Sequence, residues 1–311
     1  AWDLGLNFRI FNHLTADIDF YRKETCDMLV NVPVSYTTGW SSILHNIGNM
    51  TNTGVDIDLQ ADIIQTKDWY FGLRANFNYN ANRITSLFDG MDQQAFPSRL
   101  LAYTVGHDAS EFYMVKYAGV DPETGEPQWY DKDGNITKEY NVERDSQLLG
   151  KSCTAPITGG FGADVRWKGF ALRADFAWAA KKYMVNNDRF FLESPSSDNA
   201  ASYNQMTTMF NIWTHPGQIT DIPKFGSTIQ FDDHLLEDAS FLRLKNLTLM
   251  YNCPKSFTDK LSLKGLNFHF TGRNLLTFTG FTGFDPEPGS NIVTFFYPNT
   301  RQYELGLEVT F

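Results

Sequence analysis

The chain has 311 residues, enough for one large β domain or two ordinary domains. Its formal net charge of −10 argues against nucleic acid as a partner, because nucleic-acid binding requires a basic face. No apolar run approaches the roughly 18 residues of a transmembrane helix, which leaves open a barrel that crosses the membrane with alternating strands.

Aromatic residues make up 15% of the chain and include 26 Phe and 14 Tyr. This surplus suits the aromatic girdles of a membrane barrel, and it also suits a surface that stacks on sugar rings. Cys26, Cys153 and Cys253 are far apart and odd in number, so the sequence predicts free thiols and neither a disulfide framework nor a zinc site. The first residues already follow a strand pattern, without an initiator Met or a signal peptide, which favours a fragment of a longer precursor.

Nine segments alternate apolar and polar residues, as a β-strand does when successive side chains point to opposite faces. In chain order they cover residues 2–10, 14–21, 55–63, 69–78, 161–167, 170–178, 241–252, 266–279 and 301–311. Asn12-His13 and Lys168-Gly169 predict tight turns between neighbouring strands. The alternation slips by one residue near Lys245-Asn246, which predicts a β-bulge.

The connections between these strands alternate in length. Those near residues 12, 66, 169 and 254 are short to moderate, whereas residues 30–51, 86–156, 184–238 and 280–300 form long loops. Short turns on one side with long loops on the other are typical of an outer-membrane barrel. The sequence therefore predicts an all-β, transmembrane, antiparallel up-and-down β-barrel with short periplasmic turns and long extracellular loops. A soluble carbohydrate-binding β-sandwich is the alternative.

Nine strands cannot close a bacterial single-chain barrel, which has an even number of strands. The first and last strands would both run downward, so the count predicts an upward strand before residue 1. We therefore expect residues 1–311 to be the C-terminal portion of a larger barrel. An amphipathic final strand that ends on Phe311 resembles the terminal strand of bacterial outer-membrane barrels, where it serves as the assembly signal.

The alternation also predicts which side chains face lipid and which face the lumen. A charge on the lipid face costs about 2–4 kcal/mol at mid-membrane, so the apolar face is expected to contact lipid. The predicted lipid-facing residues are Trp2, Leu6, Phe8, Leu59, Phe71, Phe161, Phe176 and Leu307. The predicted lumen-facing residues are Asp17, Asp58, Arg74, Asp164, Arg173 and Glu304.

Local motifs along the whole chain resemble the SusC/RagA family of TonB-dependent transporters and keep that family's order. They lie at Phe20–Leu29, Asn46–Asp56, Tyr117–Gly125, Ser240–Asn246, Gly272–Thr277, Phe284–Glu287 and Tyr297-Pro298. The resemblance implies the C-terminal part of a barrel of about 22 strands that is filled by a plug. The family's plug, N-terminal domain and TonB-contacting box have no match in this chain.

By the same resemblance, the implied function is TonB-dependent import of nutrient oligomers across the outer membrane, and not catalysis. The implied partners are a SusD-like surface lipoprotein, the TonB-ExbB-ExbD complex, the lipid bilayer and a second copy of the complex in a dimer. A passive porin with an open lumen and no lipoprotein is the alternative.

Aromatic and polar residues of the long loops are the candidate substrate contacts, because sugar rings stack on aromatic rings while hydroxyls bind polar side chains. The candidates are Trp40, Trp129, Tyr130, Tyr203, Trp213, Phe281, Phe284 and Asp285. The alternative is that these rings pack the loops on each other or on the partner lipoprotein. An oligosaccharide is the predicted substrate, ahead of an oligopeptide, whose backbone would use many of the same groups.

The sequence predicts no active site, metal site or cofactor. Its six histidines lack ligand spacing. The segment Asp131–Asn135 lacks the later Glu that an EF-hand requires, so it is predicted to be a hairpin tip. Asp56, Asp58 and Asp62 would share one face of a strand, which predicts a wetted lumen wall.

Overall fold

The computed structural model describes residues 1–11, 13–33, 36–40, 42–46, 48–293 and 297–311, so the predicted turn residue Asn12 lies outside the described residues. The strands in these residues are β1 (Trp2–Ile10), β2 (Leu14–Thr25), β3 (Leu29–Pro33), β4 (Ser42–Asn46), β5 (Gly48–Gln65), β6 (Trp69–Leu87), β7 (Gln93–Phe96), β8 (Leu101–Thr104), β9 (Glu111–Met114), β10 (Lys116–Val120), β11 (Pro127–Tyr130), β12 (Ile136–Thr137), β13 (Gln147–Ser152), β14 (Ile157–Trp167), β15 (Phe170–Ala180), β16 (Tyr183–Val185), β17 (Leu236–Asp238), β18 (Phe241–Asn252), β19 (Gly265–Thr279) and β20 (Gln302–Thr310).

Short helices lie in the connections. The α-helices are α1 (Val142–Asp145), α2 (Asn187–Leu192), α3 (Ser197–Ser202) and α4 (Lys255–Thr258). The 3₁₀ turns are Tyr36–Thr38, Phe88–Gly90, Pro97–Arg99, Thr207–Asn211, Asp233–Leu235 and Asp259–Leu261. Within the described ranges, none of the helices has the length and apolar character needed to span a membrane.

Nine strands form one antiparallel sheet in the order β1-β2-β5-β6-β14-β15-β18-β19-β20. Once the strands inside the long loops are set aside, each strand pairs with its neighbour along the chain, which is the up-and-down order of a barrel wall. The nine strands coincide with the nine predicted segments. The predicted all-β class and the antiparallel order are confirmed.

β5 and β6 are longer than predicted, at 18 and 19 residues. The halves of these two strands nearer the long loops are rich in Asn, Thr and Gly. Apolar and polar residues therefore do not alternate there in the way on which the prediction depended. β14 begins at Ile157, ahead of the predicted start at residue 161, inside a Gly-rich run. Gly159 fits there because the Trp178 ring of the neighbouring strand covers it, and a Cβ at this position would lie 2.8 Å from that ring.

The register of β18 against β15 and β19 shifts between Leu244 and Asn246, which confirms the predicted bulge. A bulge adds one residue to a strand and re-aims the side chains around it. As a result, the consecutive residues Lys245 and Asn246 both reach acidic groups. Lys245 pairs with Glu287, and the Asn246 amide donates to Asp175 at 3.4 Å.

The register separates the two predicted sets of side chains onto opposite faces of the sheet. One row of paired positions is apolar and runs through Ile64, Phe71, Val165, Leu172, Leu249, Phe270 and Leu305. The adjacent row is polar and runs through Asp62, Gly72, Asp164, Arg173, Thr248, Thr271 and Glu304. The apolar face is broadly exposed, and a continuous exposed apolar face of this size needs lipid or protein to cover it.

Aromatic rings form a row near the short turns, on the apolar face. Trp69 stacks on Trp167 with ring centroids 5.5 Å apart, Trp167 lies 6.2 Å from Phe170, and Phe170 lies 4.4 Å from Tyr251. Rows of this kind mark the membrane–water interface of transmembrane barrels. Some of the many aromatic residues of the chain therefore form one such girdle.

The long loops fold together at the opposite end of the sheet. They form small sheets in the orders β13-β9-β8-β7, β10-β11-β12, β16-β17 and β3-β4. Phe112 and Met114 of one loop share a buried core with Val185, Leu235 and Leu236 of the next. The predicted hairpin tip at residues 131–135 lies between β11 and β12, as expected. We call residues 88–156, 181–240 and 280–300 together the loop domain.

Candidate functional site

The polar face of the sheet carries an ion-paired region at β6, β14 and β15. Arg74 pairs with Asp164 and Asp175, and Arg173 donates to Asp175 at 3.1 Å. Gly162 lies between Arg74 and Asp175 in the strand register. Because Gly162 has no side chain, the Arg74 guanidinium can cross it, and a Cβ there would lie 2.8 Å from both charged groups. The predicted lumen residues Arg74, Asp164 and Arg173 thus belong to one network.

A second region of this face, on β2 and β5, is acidic. Asp17 lies directly opposite Asp58, and Asp19 lies directly opposite Asp56. Like charges directly opposite each other are destabilising, so these carboxylates require donors or water around them. The Asn7 amide donates to Asp17, and the Asn78 amide donates to Asp56.

A shallow depression of about 280 Å³ separates the acidic region from the ion-paired region. Asp17, Asp58, Arg74, Asn76 and Asp175 contribute its polar lining. A cationic donor and several anionic acceptors therefore face the same depression, which suits a ligand with many hydrogen-bonding groups. Among the described residues, no three His, Cys, Asp or Glu side chains are grouped so as to hold a metal ion.

At the upper end of the same face, Arg243 and Lys245 of β18 bind the last long loop. Arg243 Nη2 lies 2.7 Å from Asp285 Oδ1, and both Arg243 and Lys245 pair with Glu287. Lys182 Nζ donates to the carbonyl oxygens of Pro286, Glu287 and Pro288 at 2.6–3.0 Å. Arg243, Asp285 and Lys182 are each about 5% exposed.

Burial alone would raise the pKa of the Asp285 carboxyl. The hydrogen bond from Arg243 and the backbone N–H donors of Asn299 and Glu287 outweigh this effect and hold that pKa below its usual range. Burial lowers the pKa of the Lys182 ammonium, although the nearby Glu287 and Asp285 carboxylates oppose the shift. Asp285 is therefore ionised at neutral pH and fully occupied by protein donors.

Three of the predicted substrate contacts lie inside the loop domain. Trp129 is 4% exposed, and its indole N–H donates to Asp232 Oδ2 at 2.5 Å. Phe281 is 5% exposed and packs with Met184, Ala239 and Val293. Asp285 is held by Arg243. These three side chains are enclosed by protein in this structure, which favours the alternative that they pack the loops together, and their contact with substrate stays a prediction.

The environment of Trp129 is a buried cluster of polar aromatic residues. Tyr140 meets the Trp129 ring edge-on at 5.4 Å, and Tyr117 lies 6.4 Å from it. Burial raises the pKa of Tyr140 to about 12, with a smaller contribution from Asp232. Burial likewise raises the pKa of Tyr117. Both phenols stay neutral donors at physiological pH, as a structural cluster requires.

The other predicted contacts are more open. Trp213 donates through its indole N–H to Pro122 O at 3.0 Å and packs over Gly125, so it too joins two loops. Tyr203 is 44% exposed beside Phe191, and Tyr130 is half-buried. Trp40 and Phe284 are 68% and 75% exposed. Substrate contact stays a prediction for these residues.

Arg243, Lys182 and Glu287, which hold the last long loop against the wall, were not among the predicted site residues. Arg243 and Glu287 lie within two of the motifs that carry the family resemblance, at 240–246 and 284–287. That both motifs contain charged residues of opposite sign was a usable signal. Their pairing over more than forty positions of sequence could not be deduced without the fold.

Comparisons with known proteins fit this wall and loop domain. Residues 1–118 match the family described as "TonB dependent receptor-like, beta-barrel". TonB-dependent receptor P3 of Formosa agariphila is 29% identical over 99% of this chain and 34% of that protein. TonB-dependent receptor SusC of Bacteroides thetaiotaomicron is 26% identical over 100% of this chain and 32% of that protein.

A chain in the solved structure of the RagAB peptide transporter is 43% identical, with a TM-score of 0.90 over 99% of this chain and 35% of that chain. The same importer in its open-open state matches with a TM-score of 0.89. The chain thus spans about a third of the length of the relatives it matches. Residues 1–118 thus match the TonB-dependent receptor-like β-barrel family, the whole chain is similar to transporters of the SusC/RagA type, and the chain forms part of an outer-membrane β-barrel.

Proposed function

We propose that this chain forms the C-terminal part of the barrel of a TonB-coupled importer that carries oligopeptides across the outer membrane. The observation that carries the proposal is the 43% identity, over nearly the whole chain, to a chain of the RagAB peptide transporter. The complete barrel has about 22 strands and encloses a plug, which the wall described here surrounds in part.

The inner wall suits a peptide in its chemistry. A peptide carries ionised groups of both signs together with regularly spaced N–H and C=O groups. The ion-paired region around Arg74 offers both charges, and the acidic region around Asp17 and Asp58 attracts cationic groups. A long polar solute can therefore exchange one hydrogen-bonding or charged partner for the next as it moves along this wall.

An oligosaccharide is the second candidate substrate, and the exposed loop rings favour it. Trp40 is 68% exposed, Phe284 is 75% exposed and Tyr203 is 44% exposed. Such rings offer stacking faces to sugars. The peptide assignment takes precedence because the chain of the RagAB peptide transporter is 43% identical to this chain, whereas the relatives named SusC and P3 are 26–29% identical and their names state no substrate.

A SusD-like surface lipoprotein is the proposed partner of the loop domain, and TonB with ExbB and ExbD is the proposed energy source. The outer loops expose large apolar side chains that a lipoprotein would cover. Phe210 is 90% exposed, Ile219 is 95% exposed and Phe225 is 63% exposed. The hydrogen bond from Thr220 to Asn211 brings the neighbouring residues 219 and 210 near each other, and exposed apolar side chains that lie together are typical of protein contacts. Pairing of two such complexes into a dimer is part of the proposal.

The experiment is an uptake assay in the bacterium that encodes the protein. A strain without the complete gene is supplied in turn with labelled peptide mixtures and labelled oligosaccharides, and is compared with a strain complemented by the gene. We expect the deletion to abolish uptake of a set of peptides and to leave oligosaccharide uptake intact. The reverse result would identify oligosaccharides, and not peptides, as the substrate of the importer.

A second arm separates active import from passive diffusion. Uptake is measured in a strain without TonB, which must lose transport if the barrel is energy-coupled. Uptake that persists without TonB would show that the protein acts as a porin.

A further inference from the structure

The last long loop of the chain is bound to the inner face of the barrel wall. Arg243 of β18 pairs with Ala177 in the register, and Ala177 lies two residues from Asp175 along β15. Alternate residues of a strand share one face, so Arg243 projects to the same charged face as Asp175. The partners of Arg243 are Asp285 and Glu287, which lie in the 280–300 loop. This loop therefore folds inward at the opening and does not stand away from it.

We propose that Lys182, Arg243, Lys245, Asp285 and Glu287 form a clamp that fixes the described stretches 280–293 and 297–299 of the last loop as a permanent rim of the opening. There the loop positions the exposed rings of Phe284 and Tyr297 for the passing substrate. Substrate contact by these rings rests on the proposed function of import. The clamp itself does not depend on that function.

The clamp has a buried centre of Lys182, Arg243 and Asp285, and at its edge Glu287 and Lys245 are 28% and 34% exposed. Arg243 uses all parts of its guanidinium: Nη2 on Asp285, Nη1 on Glu287, and Nε on Thr277 Oγ1 at 2.9 Å. Charged groups bound in this way hold a fixed geometry, because breaking one contact leaves a buried charge unpaired. Lys182 adds three carbonyl contacts along residues 286–288. Lys182 thus binds the backbone of three consecutive residues of the loop.

The loop is attached a second time, independently of the clamp. Val185 of β16 forms a β-bridge with Ile292, with backbone hydrogen bonds of 2.9 and 3.1 Å to Asn291 and Val293. Val293 and Phe281 pack in one buried cluster with Met184. Nearer the beginning of the loop, Thr282 receives a hydrogen bond from Asn186 at 2.9 Å. Attachment at both ends of the clamp argues for a fixed rim and against a hinged gate.

Between these attachments the loop presents two rings. Phe284 is 75% exposed and Tyr297 is 90% exposed. They flank the clamp, because the Asn299 backbone N–H donates to Asp285 Oδ2 at 2.9 Å and so brings the two stretches together. Because the backbone is rigid, an exposed ring can contact a ligand at low entropic cost. Such rings can pack against the apolar or aromatic side chains of a peptide.

The first test measures the clamp without measuring transport. In the full-length protein in outer membranes, Asp285→Asn together with Glu287→Gln removes the acidic charges and keeps the side-chain size. We expect proteinase K to cleave this variant within residues 280–300, while the wild type stays intact there. The matched control is Asp121→Asn with Glu126→Gln, an acidic pair that Lys138 binds elsewhere in the loop domain at 2.7 and 2.9 Å. An unchanged cleavage pattern in the first variant overturns the clamp.

The second test separates a fixed rim from a gate. Val185→Cys with Ile292→Cys, in a background where Cys26, Cys153 and Cys253 are Ser, places two thiols at a β-bridge, where the backbone spacing permits a disulfide. We expect the oxidised protein to keep its uptake rate. Loss of uptake on oxidation that reduction restores shows a moving gate and overturns the proposal. Should the paired cysteines prevent assembly, the cleavage comparison decides alone.

The third test concerns the rings. Phe284→Ala with Tyr297→Ala should raise the substrate concentration for half-maximal uptake about tenfold, with an unchanged maximal rate, because two aromatic contacts are lost. Phe257→Ala, a half-exposed ring near the short turns, is the control and should change neither value. An unaltered half-maximal concentration in the double variant removes the rings from the substrate path. If the wild type shows no uptake at all, the proposed function fails while the cleavage test of the clamp still stands.

Discussion

At the scale of single residues, an ion pair of the inner wall can form because one position of the strand between its partners has no side chain. Gly162 lies between Arg74 and Asp175, and its lack of a side chain allows the ion pair to form across β14. Any larger residue would displace both charges, leave them partly desolvated and unpaired, and press on the backbone oxygen of Ala174 at 2.9 Å.

Gly162→Val should therefore destabilise the barrel by about 1–3 kcal/mol, the usual cost of inserting volume into a packed site. The measurement is urea unfolding of the full-length protein in lipid vesicles. Gly265→Val is the matched control, because the nearest atom to a Cβ at this strand glycine is 3.5 Å away and the change should be smaller. Equal destabilisation of the two variants would contradict the role given to Gly162.

The clamp makes the attachment of the 280–300 loop dependent on pH. Hydrogen bonds hold the pKa of Asp285 below its usual value, so its charge stabilises the folded loop above the ordinary Asp pKa of about 4. This stabilisation is lost as the pH falls through the depressed folded pKa. We expect protease cleavage of the loop to rise only at pH values below about 4.

The control for this pH dependence is Asp131, an exposed carboxylate whose pKa is lowered by the backbone N–H of Asn135 and not by an ion pair with the loop. Asp131→Asn should leave the pH profile of cleavage unchanged. Asp285→Asn should make the loop cleavable at neutral pH and remove the pH dependence. A loop that is equally protected at pH 3 and pH 7 in the wild type would be inconsistent with this account.

At the scale of elements, the last strand is held on one side only within this chain. β20 pairs with β19 from Gly265 to Arg273, and no other described strand pairs with its second edge. Phe311 follows β20 and is 80% exposed, so its ring contributes little to packing. The exposure refers to this chain alone, and we propose that Phe311 acts as the assembly signal during insertion of the barrel.

Phe311→Ser should reduce the amount of assembled protein in the outer membrane severalfold, without lowering the urea midpoint of the fraction that assembles. Assembled protein is measured by its resistance to unfolding in cold detergent on a gel. Phe257→Ser, which also removes a half-exposed ring, should leave the assembled amount unchanged. A Phe311 variant that assembles normally would remove the signal function.

The strands of the wall could be predicted from sequence because their pattern is local. One face alternates with the other at every second residue, and this pattern survives in β1, β15 and β20 without any knowledge of partners. The strands inside the loop domain are two to six residues long and gain their stability from distant segments, as Met114 does from Leu235. Such elements carry too little local pattern for prediction.

The candidate substrate contacts are less well determined by sequence than the wall, for a physical reason. Aromatic residues in long loops are equally suited to ligand contact and to packing loops together, and the sequence does not distinguish the two. Trp129 and Phe281 belong to the second kind. Burial, which decides between the two uses, depends on contacts such as Trp129 with Asp232 that span about a hundred positions of sequence.

At the scale of the whole molecule, the wall has an apolar outer face, a charged inner face and a folded loop domain at one end. Phe210 and Ile219 of that domain are 90% and 95% exposed, and they flank the hydrogen bond from Thr220 to Asn211. A partner that caps the loop domain would bury this pair.

Phe210→Asp with Ile219→Asp should reduce co-purification of the surface lipoprotein about tenfold or more, because two large apolar contacts are replaced by charges. The measurement is the amount of lipoprotein recovered with the tagged barrel from detergent-solubilised membranes. Leu261→Asp, at a half-exposed apolar residue near the short turns, is the control and should not reduce recovery. Full recovery of the lipoprotein with the double variant would place its contact elsewhere.

The unequal lengths of the strands give the opening an uneven height. β6 continues from Tyr79, where its pairing with β14 ends at Ile157, up to Leu87. At about 3.3 Å per residue and a tilt near 40°, this extension rises roughly 20 Å above the start of β14. The upper part of β6 is bound to the loop domain, because Ile84 exchanges backbone hydrogen bonds of 2.9 and 2.8 Å with His107 and Gly106. The loop domain is therefore held by a projecting pair of strands, which sets its height above the rest of the wall.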